Sequence, residues 1–217
     1  MLRGMVWSRE NLQHWYESEP GALAAAQVRA ALAGLDELAW VGSIKPLVLA
    51  VGYAAPFVEV WPNALVEEVD DWSDARLECR YDRIVVGHAL EGADDPHALL
   101  AKCWQALRPD GVLVVVVPNR LSLWRWYTNT PVADGKGYGK RQLQRLLREA
   151  YFTPLSRRFA VACPWGGATG HRMCPHFGGL LVMAACKQVA GMKALMRPAA
   201  NGKVKAVPVG VGMMERL

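Results

Sequence analysis

The chain has 217 residues, 52% of them apolar and 21% charged, which is the balance of an ordinary globular domain rather than of a disordered chain. No apolar run reaches the roughly 18 residues of a membrane-spanning helix, and the N-terminal residues lack the long apolar stretch of a secretory signal. We therefore expect a cytoplasmic protein with one domain of ordinary size.

Charge is distributed unevenly along the chain, although its net value is +5. Residues 1–119 contain 9 Lys and Arg and 17 Asp and Glu, whereas residues 120–217 contain 16 and 3. A C-terminal half this basic is compatible with an anionic partner, such as nucleic acid, an anionic membrane surface or an acidic protein. The alternative is a solvated face that the acidic half of the same molecule balances.

The first part of the chain predicts helix followed by two strands. Residues 10–38 are rich in Ala and Leu at helical spacing, with a break or a helix start at Pro20 and Gly21. The apolar run KPLVLAVG is typical of a strand buried on both faces of a parallel sheet. NALVEEV predicts a second, short strand before the acidic loop DDWSDARLECR.

The middle of the chain predicts a strand, a helix and another strand. YDRIVVGHAL predicts the first strand. DDPHALLAKCWQALRPDG predicts a helix that Asp94 or Asp95 caps, that Pro96 starts, and that Pro109 and Gly111 end. The uninterrupted apolar run VLVVVVPN predicts the next strand.

The last part predicts a helix and two strands. GKRQLQRLLREAYF places leucines on one helix face and basic residues on the other. RRFAVACPW and GGLLVMAACKQV predict a strand pair without an intervening helix, and therefore an antiparallel edge of the sheet. We expect one α/β domain over residues 1–188, with a helical region at 1–40, followed by a basic, flexible tail at 189–217.

Several segments, in this order, resemble class I S-adenosylmethionine-dependent methyltransferases of the small methyltransferase-domain group. The best match is YDRIVVGHALEGADDPHALLAKCWQALRPDGVLVVVVPNRLSLW, in which Asp110 stands where the group has the first glycine of a pair. GKGYGKRQLQRLLREAYFTP and WYESEPGALAAAQVRAAL are similar to further segments of the group. The resemblance covers about residues 10–188 and implies a three-layer Rossmann-like class I methyltransferase fold, mostly parallel with an antiparallel edge.

The resemblance also implies where S-adenosylmethionine binds. The residues that it places against the cofactor are Gly52, Tyr53, Ala54, Asp70, Gly87 and His88. Asp70 falls at the position of the carboxylate on the adenine side, although it is also one acid in a solvated acidic loop. The ribose-binding acid of the family has possible substitutes in Glu59, Glu67 and Glu68, none at an evident end of the second strand.

The loop LAVGYAAPF departs from the family's glycine-rich pattern. Ala50 replaces the usual acid and Ala54 replaces a glycine, while Pro56 removes a backbone N–H. From Gly52 to Asp82 there are 30 residues, too few for the two strands and two helices that the family commonly has there. The sequence therefore predicts a sheet that lacks one strand-helix unit.

Two further features carry candidate chemistry, each with alternatives. His88 is a candidate for a general base or a pocket-lining residue, and equally for a hydrogen-bonded structural histidine. The segment NRLSLWRWYTNTP interleaves aromatic and basic residues, with the candidate surface formed by Trp124, Arg125, Trp126 and Tyr127. Such a segment stacks nucleic-acid bases, covers a substrate or partner surface, or packs as an amphipathic connection.

No metal site or disulfide is predicted. CPWGGATGHRMCPHF holds Cys163, His171, Cys174 and His176, but their spacing matches no common zinc motif. The five cysteines form no CxxC pair, and disulfides are not expected in a cytoplasmic domain of this size.

Two functions remain open on this reading. The first is a methyltransferase with a divergent, impaired cofactor pocket and an unknown methyl acceptor, for which no catalytic residue is identified. The second is a pseudoenzyme that keeps the fold as a protein-binding or scaffolding module, with nucleic-acid binding through the basic half as a variant. The sequence does not decide whether a partner chain completes the pocket.

Overall fold

The computed structural model describes residues 9–35, 46–51, 54–58, 60, 64–69, 77, 81–126, 130, 136–161 and 177–189. The helices are α1 (Arg9–Glu17), α2 (Glu19–Ala33), α3 (Ala55–Val58), α4 (Pro96–Ala106) and α5 (Lys140–Glu149), with a 3-10 turn at Leu123–Trp126. The strands are β1 (Pro46–Val51), β2 (Leu65–Val69), β3 (Tyr81–Gly87), β4 (Leu107–Pro118), β5 (Phe152–Ala160) and β6 (Leu180–Lys187). No helix in these ranges is long and apolar enough to cross a membrane.

The described strands form one six-stranded sheet in the order β2-β1-β3-β4-β6-β5. The first four strands are parallel, and β6 lies antiparallel to both β4 and β5. The predicted mostly parallel sheet with an antiparallel edge is confirmed. Between β1 and β3 the described residues contain only α3 and β2, in agreement with the predicted loss of one strand-helix unit.

Helices cover both faces of the sheet because each inner strand is apolar on both sides. On β1, Val48 and Ala50 pack with α1 and α2, whereas Leu47 and Leu49 pack with α4 and α5. Each large aliphatic side chain buried in these layers contributes about 1.5 to 3 kcal/mol relative to an exposed one. The result is the predicted three-layer α/β domain.

The predicted break between the first two helices lies at Ser18. Ser18 caps α2 by accepting a hydrogen bond from the backbone N–H of Gly21, and Pro20 occupies the first turn. A Cβ on Gly21 would lie 1.8 Å from the carbonyl oxygen of Trp15, so only glycine fits where the two helices meet. This close approach fixes the C-terminal turn of α1 beside α2.

Two predicted boundaries are wrong. Helix α4 ends at Ala106 rather than at Pro109, because Arg108 precedes a proline and a helical conformation is disfavoured there. Leu107 is already extended and begins β4. The predicted strand RRFAVACPW starts too late, since β5 begins at Phe152, whose side chain is buried against α5. The predicted C-terminal tail lies outside the described residues from residue 190 onward.

Asp110 has a left-handed backbone conformation, with φ 63°. This is the position where the resembling methyltransferases have glycine, which adopts such a conformation without steric cost. An aspartate tolerates it better than most residues, but at a cost in free energy. The chain therefore carries a small strain in the turn within β4.

We expect Asp110→Gly to raise the free energy of unfolding by about 0.5 to 1 kcal/mol, because glycine removes the strain. Chemical denaturation of the variant and the wild type measures the change. Asp110→Ala is the matched control, since it also removes the carboxylate but keeps a Cβ. A stabilisation of equal size in both variants would contradict the backbone explanation.

Candidate functional site

The candidate site lies at the carboxyl ends of β1 and β3, which are neighbours in the sheet. From β1 the chain continues to β2 on one side, and β3 then pairs with β1 on the other side. In open α/β sheets, ligands bind at such a topological switch point. The side chains that follow these strand ends therefore define the candidate site.

The loop after β1 is joined to β2 by a carboxylate. Ala54 is buried, and its backbone N–H donates a hydrogen bond of 2.7 Å to Oε1 of Glu68. Glu68 is the next-to-last residue of β2 and pairs in register with Ala50. The expectation that no candidate acid lies at the end of the second strand is therefore wrong for Glu68. Its neighbour Glu67 points to the opposite face, since side chains alternate along a strand.

Pro56 does not disrupt the loop. It lies in the first turn of the four-residue helix α3, where a missing N–H leaves no hydrogen bond unmade. The predicted cofactor residues Gly52, Tyr53 and Asp70 lie outside the described residues, as does Glu59.

Phe57 of α3 packs directly on the end of β3. Its side chain is fully buried, and a Cβ on Gly87 would lie 2.4 Å from Cε2 of the ring. Gly87 is therefore needed for the close approach of the ring to the strand. The Phe57 ring also lies 5.9 Å from the ring of His88, centroid to centroid.

His88 is buried and hydrogen-bonded through both ring nitrogens. Nδ1 lies 2.7 Å from Oε1 of Glu91, and Nε2 lies 2.7 Å from Oη of Tyr16 in α1. A carboxylate only accepts, so Nδ1 carries the hydrogen, and in the neutral imidazole Nε2 accepts one from the Tyr16 hydroxyl. Burial, and then the charge of Glu91, raise the pKa of Tyr16, which keeps its hydroxyl protonated as this arrangement requires. The hydrogen-bonded reading of His88 is the one that the geometry supports.

Glu91 contributes a second, unsatisfied oxygen to the site. Its Oε2 atom is buried and has no hydrogen-bond partner in the part of the chain that the structure describes. Tyr138 is close enough for the charge of Glu91 to act on it: burial first, and that charge second, raise the pKa of Tyr138 to about 12. The Tyr138 hydroxyl itself donates to the carbonyl oxygen of Leu90, at 3.0 Å.

The sequence does not single out Tyr16, Phe57 or Tyr138. Tyr16 is 72 residues from its partner, and Phe57 looks like any apolar residue after a turn. The one sequence signal for this part of the site is the segment HALE at residues 88–91, which places His88 and Glu91 three residues apart.

The aromatic and basic segment after β4 is only partly described. Trp124 is half-buried and packs against the core formed with α1 and α2, and its backbone N–H donates to Ser122. For Trp124 this supports packing among the three alternatives. Arg125 and Trp126 belong to the 3-10 turn, and their side chains, like the whole of Tyr127, lie outside the description.

No group of three or more His, Cys, Asp or Glu side chains that could bind a metal ion occurs among the described residues. The CPWGGATGHRMCPHF segment lies mostly outside them. Cys103 is buried and Cys186 half-buried, both as free thiols. Burial raises the pKa of Cys186 to about 11, so its thiol is a poor nucleophile at neutral pH.

No protein-family model matches the chain, and no curated protein matches it. Solved structures do. A SAM-dependent methyltransferase of Thermotoga maritima, described as a possible histamine N-methyltransferase, has a TM-score of 0.58 at 13% identity, over 82% of this chain and 95% of the other. A SAM-dependent methyltransferase of Archaeoglobus fulgidus has a TM-score of 0.57 at 14% identity, over 81% and 97%.

A third structure holds a ligand. The N-methyltransferase NodS of Bradyrhizobium japonicum, in complex with S-adenosylhomocysteine, has a TM-score of 0.51 at 14% identity, over 83% of this chain and 98% of the other. The chain has the class I methyltransferase fold. At these identities the likeness concerns the fold, and the site has to be judged on its own residues.

The residues of this methyltransferase fold fit the cofactor in part. Glu68 supplies a carboxylate beside the loop, as ribose hydroxyls require, and the buried Oε2 of Glu91 lacks a donor that a ligand can provide. Against this, Phe57 and Tyr16 are buried at the same strand ends. A ligand at this edge would therefore have to share it with, or displace, these two aromatic rings.

We expect Gly87→Ala to lower the free energy of unfolding by about 1 to 3 kcal/mol, because the added methyl group overlaps the Phe57 ring. Gly139→Ser is the control, because a Cβ at Gly139 meets no atom within 4 Å; we expect a change within about 0.5 kcal/mol there. Denaturant titration measures both.

The double variant Gly87→Ala with Phe57→Leu tests the contact itself. A smaller side chain at residue 57 relieves the overlap, so the double variant should be more stable than the two separate losses predict, by about 1 kcal/mol. Strictly additive losses would show that the ring does not restrict residue 87.

Proposed function

We propose that the protein is an S-adenosylmethionine-dependent methyltransferase whose cofactor site is formed by the carboxyl ends of β1, β2 and β3. The observation that carries the proposal is the hydrogen bond between the Ala54 N–H and the Glu68 carboxylate. It brings an acid to the switch point, where the fold otherwise lacks one because Ala50 replaces the usual carboxylate. A carboxylate there suits the two ribose hydroxyls of a nucleoside.

The residues that would hold the cofactor come from three strand ends. They are Gly52, Tyr53 and Ala54, which follow β1 in sequence, Glu68 of β2 with Asp70 two residues later in sequence, and Gly87 and His88 at the end of β3. S-adenosylmethionine supplies an activated methyl group on its sulfonium. The chain's part in such a transfer is chiefly to position the acceptor in line with that group and to exclude water.

His88 has a positioning part in this proposal. Both ring nitrogens are already hydrogen-bonded, so the imidazole holds Tyr16 and Glu91 in place at the strand end. The segment at residues 124–127 and the basic C-terminal half remain the proposed surfaces for the acceptor or an anionic partner. A cytoplasmic location, as predicted from the sequence, is part of the same proposal.

The second candidate is a protein of this fold that has lost the cofactor and serves as a binding module. It is favoured by the packing of Phe57 on Gly87 and by the Tyr16–His88 hydrogen bond, which fill the strand ends with the chain's own side chains. The two candidates differ in one respect that is measurable in the isolated protein, namely its affinity for the cofactor.

We expect S-adenosylhomocysteine to bind the wild-type protein and Glu68→Ala to weaken the binding by about tenfold to a hundredfold, as the loss of charge-assisted hydrogen bonds implies. Isothermal titration calorimetry with ligand into the millimolar range measures the dissociation constants. Glu67→Ala is the matched control, since it removes an adjacent carboxylate on the opposite face of β2.

Equal weakening in both variants would contradict the assignment of Glu68. No heat and no thermal stabilisation of the wild type would contradict the methyltransferase proposal and favour the binding module.

A further inference from the structure

A buried carboxylate oxygen remains unsatisfied at the site. The Glu91 side chain is 12% exposed, its Oε1 is taken by His88, and its Oε2 is buried without a partner among the described residues. His88, which carries a charge only when it is protonated, is the one basic side chain within ion-pair distance of Glu91 in that part of the chain. A carboxylate removed from water in this way is costly unless a donor or a positive charge compensates it.

The nearby hydroxyl groups do not supply that donor. The Tyr16 hydroxyl is bonded to Nε2 of His88, and the Tyr138 hydroxyl donates to the carbonyl oxygen of Leu90. Both hydroxyls are nevertheless tied to the surroundings of the carboxylate, since Tyr16 bonds the imidazole that contacts Glu91, and Tyr138 bonds the carbonyl of the residue before Glu91.

The position of the carboxylate favours a ligand over a purely internal role. Glu91 follows β3 by four residues, at the carboxyl edge where this type of sheet binds ligands. One oxygen would suffice to orient His88. The second oxygen, itself buried, is then left for a donor that enters at this edge, since none of the described residues supplies one.

We propose that Oε2 of Glu91 receives the protonated nitrogen of a small ligand, at the edge where Tyr16, His88 and Tyr138 converge. Two sources share this chemistry. One is an amine acceptor and the other is the ammonium group of the cofactor's amino-acid part. The second source rests on the proposed methyltransferase function, whereas binding of an amine by itself does not.

The test uses two pairs of probes, each with one member that carries a cationic nitrogen. S-adenosylhomocysteine carries an ammonium group and a carboxylate, and methylthioadenosine is the same nucleoside thioether without either group. Phenethylammonium is a simple cation, and 2-phenylethanol is its uncharged counterpart. Calorimetry gives the four dissociation constants for the wild type, for Glu91→Gln and for the control Glu149→Gln, which removes a half-exposed carboxylate of α5.

In the wild type we expect at least one cationic probe to bind about tenfold or more tightly than its neutral counterpart. Glu91→Gln should abolish that preference, and Glu149→Gln should keep it. A lost preference for S-adenosylhomocysteine assigns the site to the cofactor's ammonium group, and a lost preference for phenethylammonium assigns it to an amine acceptor.

Glu91→Gln should keep the fold, because its amide oxygen still accepts from His88. Its melting temperature should be unchanged or higher, since a buried charge has been removed. A lower melting temperature with unchanged probe preferences would overturn the proposal and leave Glu91 a structural residue. So would a wild type that prefers neither cationic probe.

The two proposals fail separately. If neither nucleoside binds the wild type, the methyltransferase proposal is contradicted, and the phenethylammonium pair still decides the role of Glu91. If the nucleosides bind with equal affinity in the wild type and in Glu91→Gln, and the amine pair shows no preference, the cation site alone is contradicted.

Discussion

The hydrogen-bonded chain from Tyr16 through His88 to Glu91 ties α1 to the carboxyl end of β3. It joins a helix of the first layer to the turn after a central strand, across 72 residues of sequence. Because the carboxylate can only accept, it fixes the imidazole tautomer, and the tautomer in turn orients the Tyr16 hydroxyl. These three side chains therefore determine the shape and the charge of the candidate site at the end of β3.

The opposite wall of the site has a different origin. Where the resembling methyltransferases have a glycine-rich loop, this chain has Ala54 directly before α3, and the Ala54 N–H donates to Glu68 of the adjacent strand. The loss of one acid after β1 is thus accompanied by an acid at the end of β2. At the same time, Phe57 can approach β3 only because residue 87 is a glycine.

Local sequence signals predicted most of the fold. Asp95 and Pro96 predict the start of α4, and the apolar runs predict β1, β3 and β4, because these signals act within a few residues. The predicted end of α4 is too late, although Arg108 before Pro109 signals the earlier end.

The sequence does not assign Tyr16, Phe57 and Tyr138 to the site, because only tertiary packing brings these ordinary apolar and aromatic positions to one edge. Glu59, Glu67 and Glu68 are equivalent candidates in the sequence, because no local signal marks the end of β2.

A crystal structure of the protein grown with saturating S-adenosylhomocysteine would show whether the carboxyl edge of β1, β2 and β3 is a ligand site. We expect ligand density at this edge, with ribose oxygens within hydrogen-bond distance of the Glu68 carboxylate. This expectation would be contradicted by a structure in which Phe57 and Tyr16 keep their places and the ligand is absent from the edge or bound elsewhere.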